Sequence, residues 1–175
     1  MKTFFLKSKR LGFSRWNMGD LQLAGVLWGN AGVSRYITGS GYTDAQIKQR
    51  LHDEIQSQKR DGVQYWPLYQ LADGSFTGCC GLHRLDDGTF ELGYHLLPVY
   101  WGKGYATEAA NAVITYAFDE LGIQSLGAGH HPDNHASGAV LLKAGFSPAG
   151  EVFYPPTGLL HKKYLLSKDD YRSPL

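Results

Sequence analysis

ELGYHLLPVYWGKGYATEAANAVITYAFDEL, residues 91 to 121, reads as an apolar strand, a Gly-x-Gly turn and a long amphipathic helix. Phe90, Leu92, Tyr94 and Leu96 alternate with Glu91, Gly93 and His95, which places the two sets on opposite faces of an extended segment that Pro98 ends. Beyond Trp101-Gly102-Lys103-Gly104, apolar residues recur at Ala106, Ala109, Ala110, Val113, Ile114, Ala117, Phe118 and Leu121, the spacing of one helical face. Gly122 suits a left-handed residue after the helix.

A glycine turn entering a helix presents unpaired backbone N–H groups at the positive end of the helix dipole, which suits a phosphate or pyrophosphate. It is equally compatible with a plain strand-to-helix connection. Two nucleotide motifs are absent: Thr107 does not follow Lys103 directly, as GxxxxGK[ST] requires, and no third glycine completes GxGxxG.

Tyr-Trp-Gly-Lys-Gly-Tyr-Ala-Thr-Glu-Ala at 100 to 109 resembles the acetyl-CoA pyrophosphate loop of the GNAT superfamily of N-acetyltransferases, in the branch typified by RimJ and RimL. His131-Pro132-Asp133-Asn134-His135-Ala136-Ser137, followed by Leu141-Leu142-Lys143-Ala144-Gly145-Phe146, resembles the same branch's N-x-x-S…L-x-K-x-G-F segment. A weaker likeness runs from about Arg10 to Tyr171. One position departs: Val99 stands where the superfamily usually carries Gln or Arg. An anion site made of backbone amides tolerates that change.

Composition sets the outer bounds. A chain of 175 residues with 43% apolar and 13% aromatic content can bury one good core, so residues 1 to 175 are expected to form one domain. Seventeen Lys and Arg against sixteen Asp and Glu give no reason to expect nucleic acid or an anionic membrane as a standing partner. No apolar run approaches the roughly 18 to 20 residues of a membrane span, and Met1 to Lys7 is too short and interrupted for a signal peptide, so a cytoplasmic protein is expected, monomer or homodimer. Cys79 and Cys80, as strand neighbours, point to opposite faces and are expected to stay unpaired.

Taken in order, Arg10 to Trp16 reads as a strand and Leu21 to Leu27 as a helix. Glycines from Gly29 to Gly41 mark a loop, and Thr43 caps a helix over Ala45 to Lys59. Tyr65 to Ala72 and Phe76 to Leu85 form a hairpin leading through Asp86-Asp87-Gly88 into the central strand. Gln124 to Gly129 reads as a strand, Asn134 to Ala144 as a helix stopped by Gly145, and Phe146 to Phe153 with Leu159 to Leu166 as a closing pair. The order describes an α/β sandwich with a mostly antiparallel mixed sheet and helices on both faces. It is also the GNAT order, and the resemblance implies a sheet splayed between the fourth and fifth of these strands.

Acyl transfer to an amine needs a neutral nucleophile, a donor to the developing oxyanion and a proton for the departing thiolate. Glu91 and His95 share a strand face, and either can take the ammonium proton, directly or through water; Glu151 and Tyr154 are outer candidates. The resemblance implies acetyl-CoA as co-substrate, bound by Trp101, Gly102, Lys103, Gly104, Tyr105 and Ala106 at the pyrophosphate. It implies that the backbone N–H of Leu96 or Leu97 meets the thioester carbonyl, that Asn134 holds the pantetheine amide while capping its helix, and that Ser137 lies at the sulfur. It also favours Glu91 as catalytic base beside Ser137. Glu108, in the first turns of its helix, reads as structural. His130, His131 and His135 lack a companion ligand, and Pro132 breaks the helix that would align two of them, so no metal is expected. Two activities fit: N-acetylation of a primary amine, on a protein N-terminus or a small molecule, or a catalytically silent acyl-CoA-binding module.

Overall fold

The structure of the protein, a computed structural model, describes residues 3 to 171. Met1 and Lys2, the start of the segment read above for a leader, lie outside the described residues, as do residues 172 to 175.

Eight strands form one sheet: β1 (Leu6–Lys7), β2 (Leu11–Phe13), β3 (Tyr65–Gln70), β4 (Phe76–Arg84), β5 (Phe90–Leu96), β6 (Ser125–His130), β7 (Ser147–Tyr154) and β8 (Leu159–Ser167), in the order β1-β2-β3-β4-β5-β6-β8-β7. Every neighbouring pair is antiparallel except β5 with β6. The helices are α1 (Leu21–Trp28), α2 (Ala31–Ser34), α3 (Asp44–Asp61), α4 (Tyr105–Thr115) and α5 (His135–Lys143). This is the mixed α/β sandwich expected from the sequence.

Helices cover both faces because the sheet has two apolar faces. One core joins Leu92 and Leu96 of β5 to Ala109, Val113 and Ile114 of α4 and Leu141 of α5; the other joins Leu27 and Trp28 of α1 to Ile47 and Leu51 of α3. Cys80 belongs to the first and Cys79 to the second, as their alternation on β4 requires, and both thiols are free. Cutting a side chain such as Phe118 or Trp28, both 0% exposed, back to Ala would cost about 3 to 5 kcal/mol.

Several boundaries differ from the sequence reading. β2 ends at Phe13 because its next partner is Pro67, which accepts from Ser14 N–H (3.0 Å) and has no N–H to return. Within the stretch read as loop, Asn30 Oδ1 accepts from Gly32 N–H at 2.9 Å and starts the single turn α2. α3 gains a full capping box from Thr43 and Gln46. After Thr115, α4 widens into a π-helical turn, Tyr116–Glu120, marked by Leu121 N–H donating to Tyr116 O.

The sheet opens between β5 and β6, the fourth and fifth strands of the sequence reading. They pair only at Phe90 with Leu126, Glu91 with Gly127 and Leu92 with Ala128. Beyond that point each strand keeps only its outer neighbour, β4 for β5 and β8 for β6.

Candidate active site

The opening between the strands continues as a cleft of about 670 Å³ that passes from one face of the sheet to the other. Its donors follow from hydrogen-bond alternation. Leu97 N–H donates to Thr77 O at 3.0 Å, toward β4, so two-residue periodicity turns the N–H and C=O groups of Leu96 and Tyr94 the other way, into the gap. Of the two N–H groups left open by the sequence, Leu97's is therefore spent inside the sheet, and Leu96's faces the cleft. Trp101 Nε1 donates to Leu96 O at 2.7 Å, which brings the first residue of the glycine loop to the same edge.

The loop itself follows the sequence reading closely. Gly102 and Gly104 have φ of 71° and 76°, a left-handed conformation that glycine adopts without strain, and Gly104 is the N-cap of α4. Trp101 N–H bonds Pro98 O and Glu108 N–H bonds Gly104 O; between them, the N–H groups of residues 102 to 107 have no backbone acceptor among the described residues. They suit a pyrophosphate, because they need an acceptor and stand at the helix's positive end. Trp101, Gly102, Gly104, Tyr105 and Ala106 line the cleft, whereas the exposed Lys103 does not.

Glu108 is structural. Its carboxylate accepts from Ser8 Oγ (2.7 Å), Arg10 N–H (2.7 Å) and Arg10 Nε (2.6 Å), tying the N-terminal strands to α4. Burial pushes its pKa up, but these hydrogen bonds outweigh it and hold the carboxyl below its usual range.

Ser137 and Asn134 come to the other wall of the gap. Asn134 Oδ1 accepts from Ser137 N–H at 3.2 Å and so caps α5, which leaves the Nδ2 donors of the amide for a ligand. Ser137 Oγ lies 3.0 Å from Tyr94 Oη, and the same tyrosine hydroxyl donates to Ser137 O at 2.9 Å. Burial lifts the Tyr94 pKa far above neutral, so the hydroxyl keeps its proton. Tyr94 was legible only as a core-facing position, since its hydroxyl meets a residue 43 positions later.

Glu91 lies in the cleft on the opposite face. It is half-buried, with no hydrogen-bond or ion-pair partner among the described residues, and burial raises its pKa against the smaller opposing pull of His83 and Lys163. His95 differs. Burial, reinforced by Arg50 and His83, drives its pKa well below the usual value, and its Nδ1 accepts from Trp28 Nε1 at 3.2 Å. A neutral ring accepting there carries its proton on Nε2, so His95 presents a donor to the cleft and not a base. Glu151 pairs with Lys162 at the sheet edge and does not line the cleft; Tyr154 does. The ring nitrogens of His130 contact His131 O (2.7 Å) and Tyr164 Oη (3.2 Å).

Residues 10 to 147 match the acetyltransferase (GNAT) domain. The chain belongs to the GNAT acetyltransferase family. As a GNAT enzyme it is an N-acetyltransferase, and relatives bear that description: the uncharacterised N-acetyltransferase YoaA of Bacillus subtilis is 34% identical over 152 residues, covering 83% of this chain and 84% of its own. Among solved structures, a GNAT-family acetyltransferase from Bacillus anthracis superposes with a TM-score of 0.81 at 22% identity, over 95% of this chain and 99% of that one. RimL, the ribosomal L7/L12 alpha-N-protein acetyltransferase, in complex with coenzyme A, superposes at 0.78 with 16% identity, over 93% of this chain and 97% of that one. At these identities the two structures speak for the fold alone.

Proposed function

We propose that this GNAT enzyme moves the acetyl group of acetyl-CoA directly to a primary amine in a ternary complex assembled across the split sheet. The observation that carries the reading is the gap itself. β5 turns the unpaired Leu96 N–H into it, with Glu91 on one face of the sheet and the Ser137–Tyr94 pair on the other. The residues present fit the co-substrate: N–H groups without acceptors at 102 to 107, a free Asn134 amide and an open strand edge.

Acetyl-CoA supplies an acyl group activated as a thioester. The amides of residues 102 to 107 hold its pyrophosphate, and Asn134 with the β5 edge holds the pantetheine arm. Leu96 N–H donates to the carbonyl oxygen as negative charge develops there. Glu91 takes the proton that keeps the acceptor an ammonium, which frees the nitrogen lone pair. The C–N bond then forms and the C–S bond breaks. The nitrogen sheds two protons in all, both passing through Glu91 to solvent; the sulfur gains one from Ser137, whose hydroxyl takes a proton back from solvent in the open cleft.

Calorimetric titration with acetyl-CoA, followed by thiol release across a panel of amines, tests the reading. Binding together with amine-dependent thiol release is expected. Absence of any response to acetyl-CoA or CoA would sink it, and tight binding without transfer to any amine would identify a silent acyl-CoA-binding module.

A further inference from the structure

The mechanism gives no role to the hydroxyl of Tyr65. Tyr65 opens β3, is 7% exposed and lines the cleft, and its hydroxyl has no hydrogen-bond partner among the described residues. The side chain is held firmly. Its ring stacks flat on His83, with centroids 3.8 Å apart and planes 3° from parallel, and its N–H donates to Glu54 Oε2 at 2.8 Å. Glu54 is 2% exposed, and both its oxygens lie 3.0 Å from His83 Nε2.

Gly93 shows where the hydroxyl points. A Cβ at Gly93 would sit 2.1 Å from Tyr65 Oη, so this glycine, which weakens a strand interior, makes room for the phenol. Glu91 and His95 flank Gly93 on the same strand face. The hydroxyl therefore lies on β5 between the carboxylate assigned as base and the ring that presents only a donor.

Aromatic rings continue the cleft from there. Tyr36 and His131 are 5.2 Å apart, His131 and His161 5.3 Å, and His161 and Tyr154 4.4 Å, so a row of rings runs from the end of α2 to the β7–β8 hairpin. Burial lowers the pKa of His161, which keeps that ring neutral.

Charge is sparse in this space. Glu91 and Asp133 are the carboxylates of the lining, against Arg35 and Lys143, and the Asp133 side chain is 80% exposed beside His131. Glu91 is thus the one unpaired carboxylate within the cleft among the described residues. A polyamine or aminoglycoside would bring further ammonium groups against the rings, where the lining offers only the solvent-facing Asp133, and an ion pair that exposed contributes little.

We infer that the acceptor is an aromatic monoamine, its single ammonium seated between Glu91 and the Tyr65 hydroxyl and its ring laid against the Tyr36, His131, His161 and Tyr154 row. The inference rests on the transfer reading above and adds the acceptor class to it. Tyr65 acts on the acceptor, since its lone pair accepts from the ammonium while its proton stays in place.

Thiol release is measured with phenethylamine, tryptamine, butylamine, spermidine, an aminoglycoside and a short peptide with a free N-terminus. The two arylalkylamines are expected to lead in kcat/KM by about tenfold, the size of one good ring contact. Tyr154→Ala should erase that lead, lowering kcat/KM for the two arylalkylamines more than for butylamine. Tyr65→Phe, which keeps the stack on His83, should raise the amine KM about tenfold and leave the acetyl-CoA KM as it was. A preference for spermidine, the aminoglycoside or the peptide overturns the inference, as does an amine KM indifferent to Tyr65→Phe. Calorimetry of phenethylamine with CoA-loaded protein separates the two readings. Binding weakened by Tyr65→Phe without transfer to any amine overturns the transfer reading alone; transfer without aromatic preference overturns this one alone.

Discussion

Tyr94 Oη stands 3.0 Å from Ser137 Oγ, joining the central strand to the first turn of α5 across the opening in the sheet. Tyr94 donates its own proton to Ser137 O, which leaves its lone pairs to the serine hydroxyl. Ser137→Ala is expected to cut turnover by about 10-fold or more with acetyl-CoA affinity nearly unchanged, because one hydroxyl adds little to so large a ligand. Tyr94→Phe should follow in the same direction with a smaller loss. Equal losses in turnover and affinity, read by steady-state kinetics beside calorimetry, would make Ser137 a binding residue.

Glu91→Gln should bind acetyl-CoA normally, lose on the order of 10²-fold in rate at neutral pH and recover part of it at high pH, where free amine is abundant. In the wild type, the acidic limb of the rate profile should lie above the ordinary glutamate value of ~4.3, because burial raises the Glu91 pKa. Matching profiles for the two proteins from about pH 6 to 9 would remove Glu91 from the mechanism.

The same carboxyl predicts an unusual stability effect. A folded pKa above the unfolded one means that the folded state holds the proton more tightly. Glu91 therefore favours folding below its unfolded value, and that contribution is lost as pH rises through the raised folded value. At neutral pH Glu91→Gln should melt at or above the wild-type temperature. A lower Tm by scanning fluorimetry at pH 7 to 8 would show that the carboxylate has a stabilising partner.

Glu108 carries the opposite sign. Its folded pKa is lowered, so its contribution is present above the unfolded value of ~4.3 and disappears as pH falls through the folded one. Glu108→Gln should cost about 1 to 2 kcal/mol at pH 7, kept modest by an Arg10 partner that is 41% exposed. The difference from wild type should shrink in acid. Urea titrations at pH 7 and pH 3.5 would measure both values.

Gly104→Ala should weaken acetyl-CoA binding at least about 10-fold in a folded protein. The cause is conformational: φ is 76°, while the nearest atom to an added Cβ is Arg10 Nη2 at 3.6 Å. The strain of a left-handed non-glycine residue would be relieved by turning the loop amides away from their shared focus. Lys103→Ala, at an exposed position outside the cleft lining, should do much less; equal losses in calorimetry would give the site to the lysine charge.

Local information in the chain was enough for the longer strands and helices and for the conformation of the glycine loop. Two-residue alternation along Phe90 to Leu96, helical spacing after Gly104, and the caps at Thr43 and Asn134 act between near neighbours, and each stands close to where the sequence puts it. The glycine loop is legible for the same reason, because its conformation depends on its own φ angles. Short pieces were not. β1 spans two residues and α2 four, less than a period needs to declare itself, and β2 stops early because its partner residue, from a distant strand, is proline. Strand order on the far side, with β8 lying between β6 and β7, likewise depends on pairing between remote segments. On the face of β5 that carries Glu91 and His95, partners and protonation were decided by tertiary structure. Only packing spends Leu97 N–H on Thr77, buries His95 under Trp28 so that it stays neutral, and leaves Glu91 without a partner among the described residues. Only packing sets the Tyr65 hydroxyl in the space that Gly93 leaves open. Protonation and partner choice are set by surroundings drawn from β3, β4, α1 and α3, which no local pattern encodes.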